Sequence, residues 1–318
     1  MKNVLVLIPV SQKHKEKLEK AGKNCNFVYS DPNSVSLEAI QAANVIIGVP
    51  KAEMIRASEN LELLQLETAG TDPYIKPGVL SKNTILTNAT GAYGQAVAEH
   101  AFALTLMLIK KLHLYRDNQH KACWSDRGSV STLNGSTVAV VGLGDIGRYY
   151  AKLVKAMGAY VIGVKRRASD CPEYVDELVL TEDLEQVLPR ADVILSVLPG
   201  TGSTRHIYTA ESFDQMKDSA VFINCGRGNA VASDVLYQAL AEKKIAAAGI
   251  DVAEVEPLPS ESPLWGLENL VITPHISGGH HLRETFERIV DIAVNNLSAY
   301  LNGQELNNII DFSTGYRK

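Results

Sequence analysis

Residues 136–148, S-T-V-A-V-V-G-L-G-D-I-G-R, constrain this chain more than any other stretch. The run from 137 to 141 is β-branched and small apolar, which favours a buried strand. It breaks at Gly142, Gly144 and Gly147, and a helical pattern follows from 146 to 157. That order, strand then glycine turn then helix, makes a G-x-G-x-x-G match specific for dinucleotide binding; spacing without the flanking elements would fit any α/β turn. Gly142 permits the sharp turn, Gly144 lets backbone N–H groups approach a pyrophosphate, and Gly147 lets the helix pack close to the strand. The helix start, around Asp145 and Ile146, offers free N–H groups and a positive dipole end to phosphates.

Elsewhere strand-like and helix-like segments alternate, the pattern of parallel sheets flanked by helices. Strands are predicted at 4–8, 27–29, 45–49, 63–66 and 85–86, then at 137–141, 160–164, 177–180, 193–197, 220–224, 246–250 and 270–273. A mostly apolar helix is predicted over 95–113, polar at both ends and therefore a buried connector, not a span. Residues 115–130 read as polar and irregular. A last helix is predicted over 283–301, and 309–318 reads as a return to the first domain. The fold expected is α/β: a Rossmann-type doubly wound parallel sheet, residues 94–281, inserted into a discontinuous flavodoxin-like domain formed by 1–93 and 282–318. Gly91 and Gly94 suit a hinge at the first crossing.

A length of 318 residues suits two domains. A net charge of −5 argues against a nucleic-acid partner, which calls for a basic surface. No run reaches the ~18 apolar residues of a span, and the N-terminal M-K-N-V-L-V-L-I-P is too short for a signal-peptide core, so no membrane association is expected. Cys25, Cys123, Cys171 and Cys225 are scattered without C-x-x-C spacing, which suggests a reducing cytoplasm and no metal.

An acidic residue about 20 positions beyond the glycines would hold the ribose hydroxyls of NAD. Here the second strand runs instead into Lys165, Arg166 and Arg167. Such turns are often merely solvated, but the missing carboxylate is the stronger half of the inference. Three cations there suit a 2′-phosphate, so NADP (NADPH) is expected over NAD.

Three polar residues stand just past predicted strand ends: Arg227 in N-C-G-R-G, Glu256 in D-V-A-E-V-E-P-L-P and His275 in T-P-H-I-S-G-G. The glycines beside Arg227 read as room for a ligand, and a guanidinium can clamp a carboxylate bidentately. Singly they read as a surface ion pair, a solvated glutamate and a structural histidine. Together they matter, because carboxyl ends of strands in one such sheet converge on one crevice. The turn T-A-G-T-D at 68–72 is either an anion or substrate loop or a plain strand-to-helix turn.

The chain resembles the D-isomer-specific 2-hydroxyacid dehydrogenase family. The matching segments are G-L-G-D-I-G at 142–147, L-P-G-T-G-S-T-R-H at 198–206, I-N-C-G-R-G-N at 223–229, D-V-A-E-V-E-P-L-P at 251–259 and T-P-H-I-S-G at 273–278. A-G-T-D at 69–72 and A-V-A-E-H-A at 96–101 also match. The resemblance implies that Arg227 binds the substrate carboxylate and carbonyl. His275 would protonate the carbonyl oxygen as hydride arrives, with Glu256 paired to it. The N–H groups of Ala69 and Gly70 would hold the carboxylate, and Asp251 the nicotinamide carboxamide. Ile146 and Arg148 would flank the pyrophosphate. Leu198, Pro199, Cys225, Gly226, Ser277 and Gly278 would line the cofactor. The implied enzyme reduces a small 2-keto acid, of the glyoxylate or hydroxypyruvate type, to the D-2-hydroxy acid with NADPH, as a homodimer joined through residues 95–120. D-lactate-type, branched or 3-phosphoglycerate substrates stay open, as does a dinucleotide-sensing corepressor-like role. Two readings are disfavoured. A Cys225–His275 nucleophile pair is not needed, since Cys225 adjoins residues that resemble cofactor contacts. His280 and His281 are adjacent and cannot easily share one metal ion.

Overall fold

The structure, a computed structural model, describes every residue except Ala57, His280, His281, Tyr316 and Lys318. Two compact units result, Met1–Tyr93 with Gly279–Lys318, and Gly94–Gly278. The second crossing falls at residues 278–279, slightly earlier than the expected 281–282.

The first unit starts as β1 (Lys2–Val6), α1 (Gln12–Ala21), β2 (Cys25–Tyr29), α2 (Leu37–Ala42), β3 (Val45–Ile47), α3 (Ala52–Ile55), β4 (Leu63–Gln65) and β5 (Ile85–Thr87). Its sheet is parallel throughout, in the order β2-β1-β3-β4-β5. Because side chains alternate across a strand, a sheet covered on both faces needs apolar residues at every position. Val4, Val6 and Ile8 enter one core with Leu18 of α1, while Leu5 and Leu7 enter the other with Ile40, Ile55 and Leu64.

The second unit opens with α4 (Gly94–Ile109) and α5 (Leu112–His120). This corrects the single helix predicted over 95–113 and the start of the stretch predicted as irregular over 115–130, which is irregular only from 121 on. The break is at Lys111, which sits in the left-handed region at φ 56° and accepts the first bonds of α5 from Leu114 and Tyr115. Its Nζ donates to the Arg127 carbonyl, and that of Lys110 to the Ser131 carbonyl. Those contacts reward the break, which helix propensity alone would not produce.

Then follow β6 (Thr137–Val141), α6 (Asp145–Ala156), β7 (Tyr160–Lys165), β8 (Glu177–Leu180), α7 (Leu184–Val187), β9 (Val193–Ser196), α8 (Ala210–Gln215), β10 (Val221–Asn224), α9 (Ser233–Ala241), β11 (Ala247–Ile250) and β12 (Leu270–Ile272). The sheet order is β12-β11-β10-β9-β6-β7-β8, again all parallel. The strand order reverses between β6 and β9, the doubly wound topology whose switch point opens a crevice at the strands' carboxyl ends. Helix α6 buries Gly147, Tyr150, Ala151 and Val154, the i, i+3, i+4, i+7 stripe of an amphipathic helix.

The chain returns to the first unit with α10 (Arg283–Leu301), which packs beside α1 on the Val4–Val6 face through Val290, Ala293 and Leu297. Buried Asn296 is satisfied there. Its Nδ2 donates to Gln65 Oε1 at 2.6 Å and to the Asn307 carbonyl at 3.0 Å, and its Oδ1 accepts the Asn307 N–H at 2.8 Å. A fully buried aliphatic side chain is worth about 1.5–3 kcal/mol, and a satisfied amide costs little against that. Among the described residues no helix is long and apolar enough to cross a membrane.

Candidate active site

The turn after β6 shows why each glycine is there. A Cβ at Gly147 would lie 2.2 Å from the Gly142 carbonyl oxygen, and one at Gly142 would lie 2.7 Å from that of Val197, besides the φ of +103° there. Both are demanded by packing. At Gly144, exposed at the N-cap of α6, a Cβ would meet nothing within 4 Å. Among the described residues no packing explains that glycine. A ligand seated on the helix start does, because the first-turn N–H groups of Ile146 and Gly147 lack intrahelical acceptors. The turn therefore fits a dinucleotide pyrophosphate. The Asp145 carboxylate serves the protein: Oδ2 accepts the Gly94 N–H at 3.0 Å and Oδ1 the Arg148 guanidinium at 2.7 Å.

The two glycines separate in a test. Gly147→Ala forces the helix off the strand, an overpacking cost of about 1–3 kcal/mol, and should lower the melting temperature by several degrees. Gly144→Ala should melt like the parent yet lose about tenfold or more in affinity for the reduced dinucleotide by fluorescence titration. Unchanged dinucleotide affinity in Gly144→Ala would refute the assignment.

Three loops carry the polar candidates. After β10, buried Asn224 builds the first: its Oδ1 accepts the Gly226 N–H at 3.1 Å and its Nδ2 donates to the Arg227 carbonyl at 3.0 Å. Arg227 is half-buried, and one guanidinium N–H donates to the Gly226 carbonyl at 2.9 Å. The flanking glycines, expected from sequence to leave room for a ligand, do not do so. A Cβ at Gly226 would strike the Leu198 backbone at 2.7 Å, and one at Gly228 the Ala253 carbonyl oxygen at 1.9 Å. They let neighbouring loops press together, which brings the Arg227 turn against the loop after β11.

That second loop bears Glu256, and the third, after β12, bears His275. Glu256 Oε2 lies 2.7 Å from His275 Nδ1, and its Oε1 accepts the Ala253 N–H at 2.9 Å. The imidazole side chain is 49% exposed, so this pair sits at the surface of the unit with Nε2 available for chemistry. His275 is held at φ 55°, its N–H donating to the Asp251 carbonyl at 2.8 Å. Asp251 itself is 1% exposed. Its carboxylate accepts from Thr273 Oγ1 at 2.6 Å and from the N–H groups of Ile276 and Ser277 at 3.0 Å each. It thus folds the turn that presents His275. Buried Ser277 and half-buried Gly278 continue that turn.

Leu198 is buried at the start of the 198–206 segment, with Pro199 half-buried beside it. Cys225 is buried, and burial first, then the Asp251 charge, pushes its thiol far up. At the end of β7, Lys165 donates to Ser169 Oγ at 2.7 Å, and Arg166 and Arg167 are exposed. In the first unit, Thr68 Oγ1 donates to the Gly70 carbonyl at 2.9 Å and Asn88 Nδ2 to the Ala69 carbonyl at 2.7 Å. The N–H groups of Ala69 and Gly70 donate to no protein acceptor among the described residues, so this turn can take an anion. His280 and His281 lie outside the described residues, among which no group of three His, Cys, Asp or Glu could hold a metal.

Sequence reasoning missed Asn224, Thr273 and His100, the last of which meets Thr273 Oγ1 at 3.0 Å. Asn224 had a local signal, an Asx residue two before a glycine. His100 lies in the matching segment 96–101, but nothing local points to its partner, which is 173 residues away.

A family model described as D-isomer specific 2-hydroxyacid dehydrogenase, NAD binding domain, matches residues 102–277. The human glyoxylate reductase/hydroxypyruvate reductase is 33% identical over 266 residues, 81% of this chain and 79% of that one. The probable 2-ketogluconate reductase of Dictyostelium discoideum is 31% identical over 328 residues, 98% of this chain and 96% of that one. Among solved structures, a D-isomer specific 2-hydroxyacid dehydrogenase family protein of Aeromonas salmonicida superposes with a TM-score of 0.85. It is 32% identical and covers 98% of this chain and 99% of its own.

Proposed function

The chain belongs to the D-isomer specific 2-hydroxyacid dehydrogenase family and is an oxidoreductase with an NAD(P)-binding domain; we propose that it reduces a small 2-keto acid, of the glyoxylate or hydroxypyruvate type, to the D-2-hydroxy acid with NADPH. The observation that carries this reading is the 2.7 Å pair of His275 Nδ1 and Glu256, on turns at the carboxyl ends of a dinucleotide-type sheet. The name of the human relative supports the substrate class.

The residues divide the work as follows. The dinucleotide, held on the Gly142–Gly147 turn, supplies the hydride when bound. Arg227 grips the substrate carboxylate and polarises the carbonyl through parallel N–H donors. Glu256 takes the Nδ1 proton of His275 in a hydrogen bond, which leaves Nε2–H as the acid that protonates the carbonyl oxygen, and Nε2 as the base in the oxidative direction. The N–H groups of Ala69 and Gly70 hold a carboxylate. The proposal extends to a homodimer through residues 95–120 and to the cytoplasm, the latter supported by four free thiols.

NADPH is chosen over NADH on Lys165, Arg166 and Arg167. A hydrogen bond to a charged group is worth about 1.5–3 kcal/mol, so Arg166→Ala should lower kcat/KM for NADPH by about 10- to 100-fold and leave that for NADH within about twofold. A parent enzyme that prefers NADH, or equal losses for both cofactors, defeats the preference. The decisive measurement is a cofactor-by-acid activity panel on purified protein. Turnover of glyoxylate or hydroxypyruvate with NADPH is expected. Absence of turnover over the whole panel would favour a dinucleotide-sensing role.

A further inference from the structure

His100 lies outside every role assigned above. It sits on α4, which packs directly on β10 and β11: a Cβ at Gly249 would touch Leu108 at 3.1 Å and Leu104 at 3.3 Å. That placement lets the imidazole reach the turn of His275. Nε2 of His100 is 3.0 Å from Thr273 Oγ1 and 3.7 Å from Asp251 Oδ1.

Proton accounting fixes the direction of this contact. A threonine hydroxyl has one proton. Thr273 commits it to Asp251 at 2.6 Å, since an ionised carboxylate can only accept. The hydroxyl must therefore accept from His100, and Nε2 of His100 must carry hydrogen. The result is a directed chain: His100 Nε2–H to Thr273 Oγ1, Thr273 O–H to Asp251 Oδ1. The same carboxylate accepts the N–H groups of Ile276 and Ser277, the two residues after His275. Helix α4 is itself anchored to the phosphate turn, where Asp145 Oδ2 accepts the Gly94 N–H, and to α6, where Thr105 Oγ1 and the Tyr150 hydroxyl meet at 2.7 Å.

We propose that His100 is a positioning residue for the catalytic histidine: as an Nε2–H donor it ties the turn holding His275 to the helix that is anchored on the cofactor turn. The proposal rests on the reading of His275 as the proton donor. It gives a role to a half-buried histidine on the face of α4 that meets the His275 turn.

Two measurements test it. The first is steady-state kinetics of His100→Leu and His100→Gln with NADPH and glyoxylate. In His100→Leu kcat should fall about 10- to 100-fold, the scale of a small misplacement of a reacting group, with KM for either substrate within about threefold. His100→Gln, whose amide N–H can replace Nε2–H, should return kcat to within about threefold of the parent. If His100→Leu does not fold, His100→Asn, too short to reach Thr273, takes its place. An unchanged kcat, or equal losses in the Leu and Gln variants, overturns the proposal. The second is the ring tautomer of His100 in the ¹⁵N-histidine-labelled parent protein, read by long-range ¹H–¹⁵N correlation. Hydrogen on Nε2 is expected, and a neutral ring protonated only on Nδ1 overturns the chain. A parent without turnover on any 2-keto acid would instead defeat the reading of His275, and the tautomer would still decide the contact.

Discussion

His275→Asn should lower kcat by about 10²–10⁴-fold while NADPH binds as it does to the parent. Asparagine is the informative replacement for two reasons. His275 occupies the left-handed region at φ 55°, which asparagine tolerates better than most residues, so the turn is not strained. Its amide N–H can stand in for Nδ1–H and keep Glu256 Oε2 paired, 2.7 Å away in the parent. What it cannot do is give up a proton at the Nε2 position. Magnitude then separates two roles. A histidine that merely orients substrate contributes one neutral hydrogen bond, about 0.5–1.5 kcal/mol or roughly 2- to 12-fold. A loss under tenfold in kcat would place His275 in that lesser role. The same variant should be equally impaired in oxidising the D-2-hydroxy acid, because acid and base are the same atom.

Much of the fold was legible because its signals are local and periodic. The β-branched run before Gly142 became β6, and the apolar spacing over 283–301 became α10 to the residue. The break at Lys111 was not legible. Two lysines are good helix formers, and what ends α4 is a pair of carbonyls from 127 and 131 that receive their ammonium groups. The site divides along the same line. The candidates Arg227, Glu256 and His275 could be nominated because each stands in a short motif past a strand. The glycines at 226 and 228 were visible but misread. From sequence a glycine says only that a side chain is excluded, and the excluding atoms, Leu198 and Ala253 backbone, belong to other loops. His100 stands in the quoted segment 96–101, but its contact with Thr273 was invisible for the same reason.

Arg227→Ala should cut kcat/KM for the 2-keto acid by about 10²–10⁴-fold and leave the NADPH dissociation constant within about threefold. The guanidinium donates at 2.9 Å to the carbonyl of its own turn, and buried Asn224 holds that turn from both sides. Its position is thus set before an acid arrives, and little ordering is left to be done on binding. A forked contact to one carboxylate oxygen and the carbonyl oxygen joins two charge-assisted bonds, each worth about 1.5–3 kcal/mol, which gives the stated range. Arg227→Lys tests the geometry apart from the charge. Lysine keeps the cation but not the planar fork, so it should recover no more than about tenfold of the loss. Full recovery by lysine would mean that a point charge suffices and that bidentate recognition is not used. If Arg227→Ala instead weakened NADPH binding as much as turnover, the residue would belong to the cofactor's site and not to the acid's.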